Sequence, residues 1–81
     1  MRVWVSKKDI EQGETRNHIS CPVAKALHRK YLGSWISVGA LYASVGSTRF
    51  TLSKRTRAFV QGLDLGRKVR PGYRYMTKEV T

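Results

Sequence analysis

Cysteine is almost absent. The single Cys21 excludes an internal disulfide framework and points to a reducing, cytoplasmic setting. Acidic residues are scarce too: five Asp and Glu stand against sixteen Lys and Arg. No stretch approaches the roughly 18 uninterrupted apolar residues that a membrane span needs. The opening Met1-Arg2-Val3-Trp4-Val5-Ser6-Lys7-Lys8 turns polar too early for a signal peptide. Metal ligands are few. His18, Cys21 and His28 exhaust the His and Cys, and no second CxxC or HxxxH pair exists, so no metal or cofactor is expected. No nucleophilic triad, close carboxylate pair or phosphate-binding glycine loop can be assembled, and a binding protein is expected rather than an enzyme.

What remains is a chain of 81 residues, enough for one domain and one compact core. Hydrophobic residues make up 41% and charged residues 26%, a globular balance that argues against disorder throughout. The net charge of +11 is the dominant feature. So much like charge on a small body repels itself, and the working state is expected to include something negative. No acid lies between Glu14 and Asp64, whereas Arg16, Lys25, Arg29, Lys30, Arg49, Lys54, Arg55 and Arg57 all do.

Periodicity gives the order β-α-β-β-β-α-β. Val3 and Val5 alternate with Arg2 and Trp4 as a short strand. Lys8 to Gly13 reads as one turn of helix or as a turn closed by glycine, with Asp9, Glu11 and Glu14 in a loop-like segment. A helix is predicted from Pro22 to Leu32, capped by Cys21 or Ser20 and ended by Gly33, with Val23, Ala24, Leu27 and Tyr31 as its buried stripe. Three short strands follow, Ser34–Val38, Ala40–Val45 and Thr48–Leu52, with a hairpin at Gly46-Ser47. A second helix spans Lys54 to Leu65 between the N-cap Ser53 and Gly66, burying Phe59, Val60 and Leu63. Tyr73 to Val80 is the last strand, with Tyr73, Tyr75 and Thr77 on one face and Arg74, Met76 and Lys78 on the other. The expected fold is a single α+β domain spanning the whole chain. It has an antiparallel sheet of three or four strands with two helices on one face, and Val3, Val5, Ile36 and Val38 join the helical stripes in the core.

Three basic clusters are candidate binding sites for a partner or nucleic acid. Lys54, Arg55 and Arg57 crowd the first turn of the second helix, where the helix dipole favours acids by about 0.3–1 kcal/mol each. A local rule broken three times marks a candidate anion site. Arg67, Lys68, Arg70, Arg74 and Lys78 surround Tyr73 and Tyr75. Arginines among aromatics suit phosphate contact with base stacking, or a protein interface. The tyrosines by themselves read more simply as core residues with a hydroxyl at the rim. Lys25, Arg29 and Lys30, with His28, form the third cluster on the first helix. If the three merge, they make one cationic surface.

Val3-x-Val5, Asp9-Ile10-x-x-Gly13 and Cys21-Pro22-Val23-Ala24-x-Ala26-Leu27 resemble a group of small uncharacterised proteins from bacteriophages and prophages. Phe59-Val60, Asp64-x-Gly66-x-x-Val69-x-Pro71 and the closing Tyr73 and Tyr75 agree more loosely. The region before Phe59 is more basic than the group's pattern, and the closing aromatics are displaced by one position. The resemblance implies a phage-type accessory protein in the bacterial cytoplasm, with no chemistry of its own. Proteins of that kind act by binding host machinery, including CRISPR effectors, nucleases and RNA polymerase. The leading expectation is therefore an inhibitor of a host nucleic-acid machine. Its partner would be a host protein or ribonucleoprotein with an acidic or nucleic-acid-bearing surface. The alternative is direct binding of DNA or RNA through the same cations, with a ribosome- or RNA-associated structural role further behind.

Overall fold

The structure, a computed structural model, describes residues 1–79. Its elements are β1 (Arg2–Val5), α1 (Lys7–Gln12), α2 (Pro22–Lys30), β2 (Ile36–Val38), β3 (Tyr42–Val45), β4 (Thr48–Leu52), α3 (Lys54–Asp64) and β5 (Gly72–Lys78). All strands join one antiparallel sheet in the order β1-β5-β4-β3-β2. The α+β class and the β2-β3-β4 meander agree with the sequence reading. The sheet has five strands rather than three or four, because β5 returns between β1 and β4 and makes both ladders. The end of the predicted last strand, at Val80, lies outside the described residues.

The inner face of the sheet carries every second residue: Val3 and Val5, Met76, Phe50 and Leu52, Ala43 and Val45, Ile36 and Val38, all buried. Helix α2 lays Val23, Ala24, Ala26 and Leu27 on that face, and α3 adds Phe59, Val60 and Leu63. Val3, Val5, Val23, Leu27, Ile36, Val38, Phe59, Val60 and Leu63 are all inside, as expected from the sequence. Helix α2 packs on both β1 and β2, which the strand order puts at opposite edges. The sheet therefore curls around α2, while α3 covers β4 and β5.

Two parts of the sequence reading need correction. Of the two readings of Lys8 to Gly13 the helical one holds, as α1, a third helix that takes in Asp9 and Glu11 but leaves Glu14 in the loop. Ser6 is its N-cap: the Ser6 hydroxyl accepts from the Asp9 amide at 3.1 Å, and the Asp9 carboxylate accepts from the Ser6 amide at 2.9 Å. This reciprocal box uses Asp where Glu or Gln is usual, so the signal is weak in sequence. Tyr31 is not part of the buried stripe. It is the C-cap of a helix that ends at Lys30, it is half-buried, and Leu32 beyond it is exposed.

Gly13 explains how α1 and α2 meet. A Cβ there would lie 2.6 Å from Pro22 Cδ and 2.7 Å from the Asp9 carbonyl oxygen. Neither neighbour can yield, since one is a ring locked at the helix start and the other is backbone. Gly13→Ala is expected to destabilise by about 1–3 kcal/mol, as forced overpacking does. A denaturant midpoint unchanged from that of the parent chain would contradict the contact.

Candidate nucleic-acid interface

The cations divide by what they touch. Arg29 reaches across to β1 and α1. Its guanidinium holds Asp9 bidentately, at 2.9 and 2.7 Å, and donates to the Trp4 carbonyl at 3.0 Å. The neighbouring Lys30 donates to the Arg2 carbonyl at 2.7 Å. Strand β1 is an edge of the sheet, and Arg2 and Trp4 have carbonyls on its unpaired side. Two candidate site residues thus blunt an open strand edge, a common task for long cationic side chains. Hydrogen bonding to Arg29 holds the Asp9 carboxyl below its usual value, against the opposing effect of burial.

Arg74 also turns inward. Its guanidinium lies 3.8 Å from the centre of the Phe59 ring and donates to the Arg70 carbonyl at 2.5 Å. Its Nε is buried without a partner among the described residues, and burial pushes its pKa down. The alternation that separates Arg74 from Tyr73 and Tyr75 is as expected, so these residues do not form one mixed patch.

The remaining candidates are open to solvent. Lys54, Arg55 and Arg57 are exposed on α3, and Arg67, Lys68 and Arg70 on the loop after it. Lys25, half-buried, shares a recess with Lys8, His28 and Arg29. Lys54 and Arg57 line a groove of about 540 Å³ with Leu41, Ala58 and Gln61, and Arg55 falls outside it. Helical geometry is the reason, since positions 54, 57, 58 and 61 share one face and 55 lies about 100° away. Ser53 caps this helix: its hydroxyl accepts from the Thr56 amide at 3.2 Å, so that N–H is already satisfied. The α3 and α2 clusters line different recesses. Arg29 and Lys30 also line a recess of about 350 Å³ with Arg2, Trp4 and Tyr73.

The largest departure from the sequence reading concerns the aromatics. Tyr73 and Tyr75 are not core residues. They are 44% and 52% exposed on the outer face of the sheet, opposite the helices. Trp4, Tyr42 and Trp35 are exposed too, at positions that alternate with inward-facing neighbours. The register places Trp4 beside Tyr73 and Arg2 beside Tyr75. Trp4 meets Tyr73 edge-on with ring centres 5.0 Å apart, and the Arg2 guanidinium lies 4.2 Å over Tyr73. Across the sheet, Arg49 lies 4.5 Å over Tyr42 and is also held by a bidentate bond to Glu79. The signal was present in sequence as period-two alternation in both β1 and β5. Reading it required knowing that the two strands are neighbours.

Among the described residues, no group of three or more His, Cys, Asp or Glu is placed to hold a metal ion. Cys21 is buried, which pushes its thiol pKa up and disfavours the reactive thiolate. No helix among the described residues is long and apolar enough to cross a membrane. An antiparallel α+β domain with an open aromatic and cationic sheet face is the class the geometry defines. Neither a family model nor a curated protein nor a solved structure matches the chain.

Proposed function

We propose that this chain is a phage-type accessory protein of the bacterial cytoplasm that acts without catalysis, by binding nucleic acid through its cationic surface. One observation carries the reading. The five acids are tied up in local contacts while most cations are not. Asp9 holds Arg29, Glu11 faces Lys7, Glu79 holds Arg49, Glu14 accepts from Asn17 and Ser20, and Asp64 accepts from the Arg16 amide. Among the described residues, only three of the sixteen cations touch a carboxylate. The rest keep a positive field that no carboxylate among the described residues pairs with.

Affinity for DNA and RNA, measured by anisotropy across a salt series, is the test. Each phosphate neutralised releases counterions, so log affinity should fall linearly with log salt. The expected result is binding that persists at about 0.15 M salt, beyond what net charge alone supports. No binding at low salt, or binding lost by moderate salt, overturns the reading.

A second reading is the host-directed inhibitor, CRISPR effectors and polymerases being the kind of target implied. The groove beside α3 favours it, because Leu41 and Ala58 between Lys54 and Arg57 suit an acidic protein surface with an apolar centre. A stoichiometric protein partner that survives nuclease treatment in a pull-down would favour this reading over the first.

A further inference from the structure

We infer that the outer face of the sheet is a stacking platform for single-stranded nucleic acid, with Trp4 and Tyr75 as the surfaces that receive bases. The inference rests on the nucleic-acid reading above and names the form of ligand and the face that takes it.

The helices α2 and α3 both pack on the inner face, and the outer face carries no covering element among the described residues. Large aromatics left open on a sheet are costly, since each would gain by burial. Here they are also ordered. Tyr73 is held between Trp4 at its edge and Arg2 over its ring. Tyr75, one pleat along β5, has neither an aromatic nor a cation stacked on it among the described residues. Same-face positions in a strand lie about 7 Å apart, close to the span of one extended nucleotide. Tyr75 and the Trp4–Tyr73 pair can therefore take successive bases of a strand running along β5.

The charge around this face fits the same occupant. Arg2 lies on it and Lys30 at its β1 border, both within the recess shared with Trp4 and Tyr73. The Ser53 amide donates to the Tyr75 carbonyl at 3.0 Å, which ties the start of α3 to the backbone of β5, although α3 itself lies on the inner face. Glu79, the acid that follows β5, is already paired with Arg49. Aromatic faces flanked by arginine and lysine favour unpaired bases with their phosphates over a duplex, whose bases are already stacked on one another.

The test uses the full chain with Trp35→Phe, so that Trp4 is the sole tryptophan reporter. It is titrated with an oligouridine and an oligothymidine of about ten nucleotides, and with a duplex of the same length. Either single strand should quench Trp4 and bind at least about tenfold more tightly than the duplex. Tyr75→Ala should lower single-strand affinity about tenfold while keeping the salt slope, since no charge is removed. Tyr75→Phe should restore the affinity, which separates stacking from a role for the hydroxyl. Melting curves of both variants show whether the fold is kept. Equal affinity for strand and duplex, with no effect of Tyr75→Ala, overturns the platform but leaves the cationic reading standing. No binding to any of the three overturns both. If Tyr75→Ala disperses a dimer and leaves nucleic-acid affinity unchanged, the face is a contact between copies and the inference fails.

Discussion

Asp9→Ala lowers the melting temperature by roughly 10–20 °C, the largest stability change expected from any single polar substitution in this chain. Asp9 is 5% exposed, caps α1 through Ser6 and binds Arg29 through both oxygens. Removing one member of a buried pair costs about 3–5 kcal/mol, much of it from the charge left behind. Arg29 has a side chain 53% exposed and would be rehydrated, which brings the expected loss to about 2–3 kcal/mol. The N-cap contact from Ser6 to the Asp9 amide survives, but the return bond to the Ser6 amide is lost. The same pair sets a pH dependence. The folded carboxyl has a lowered pKa, so its contribution is fully present above the unfolded value, near 3.9, and disappears as pH falls through the folded one. The melting temperature of the parent chain should therefore drop from about pH 5 towards pH 3 more steeply than that of Asp9→Asn. Parallel pH profiles would mean that the Arg29 contact does not stabilise the fold.

Asp9 also explains which parts of the molecule are legible from sequence. The residues of the Asp9-Ile10, Cys21-Pro22-Val23-Ala24 and Asp64-x-Gly66 stretches are largely scaffold. Asp9 pairs with Arg29, Gly13 admits Pro22, Cys21 to Leu27 bury most of α2, and Asp64 holds the Arg16 loop by its backbone. Such residues reveal themselves through period, caps and breakers, and the core followed from them. The candidate site was harder, because a lysine or arginine has the same appearance in sequence whether it meets a carbonyl or water. Arg29, Lys30 and Arg74 look like surface charge and are instead engaged by β1 or by Phe59. Tyr73 and Tyr75 look like core and are exposed. The tyrosines, Arg29 and Lys30 are misread from sequence for one reason: the placement of β1 beside β5 spans most of the chain and leaves no local trace, whereas Arg74 is drawn in by Phe59 of α3. Lys54, Arg55 and Arg57 are exposed on α3 and take no part in that scaffold.

Arg55→Glu with Arg57→Glu is expected to reduce binding about a hundredfold or more, as the loss of two charge-assisted contacts and the gain of two repulsive ones requires. The structure refines how. Lys54 and Arg57 face the groove beside Leu41, while Arg55 lies around the helix from it, so the two arginines grip neighbouring parts of a ligand rather than a single anion. Ser53 already satisfies the Thr56 amide, which leaves the arginine side chains, not the helix start, as the principal donors. Each can meet phosphate or carboxylate bidentately. The fold should survive and even gain, because acids in a first turn agree with the dipole by about 0.3–1 kcal/mol each. The control is Lys7→Glu with Lys8→Glu, which lowers the net charge of +11 by the same four units. These lysines are exposed on α1, and the 3.9 Å pair from Lys7 to Glu11 is too open to matter for stability. If the ligand reads only total charge, both double variants lose affinity equally and their salt slopes shift together. A loss confined to the α3 variant places the contact on that helix. Combined with Tyr75→Ala, it then tests whether the phosphates and the bases of one strand are held together. Losses that multiply mark independent grips, and losses that overlap mark one path from α3 onto the sheet.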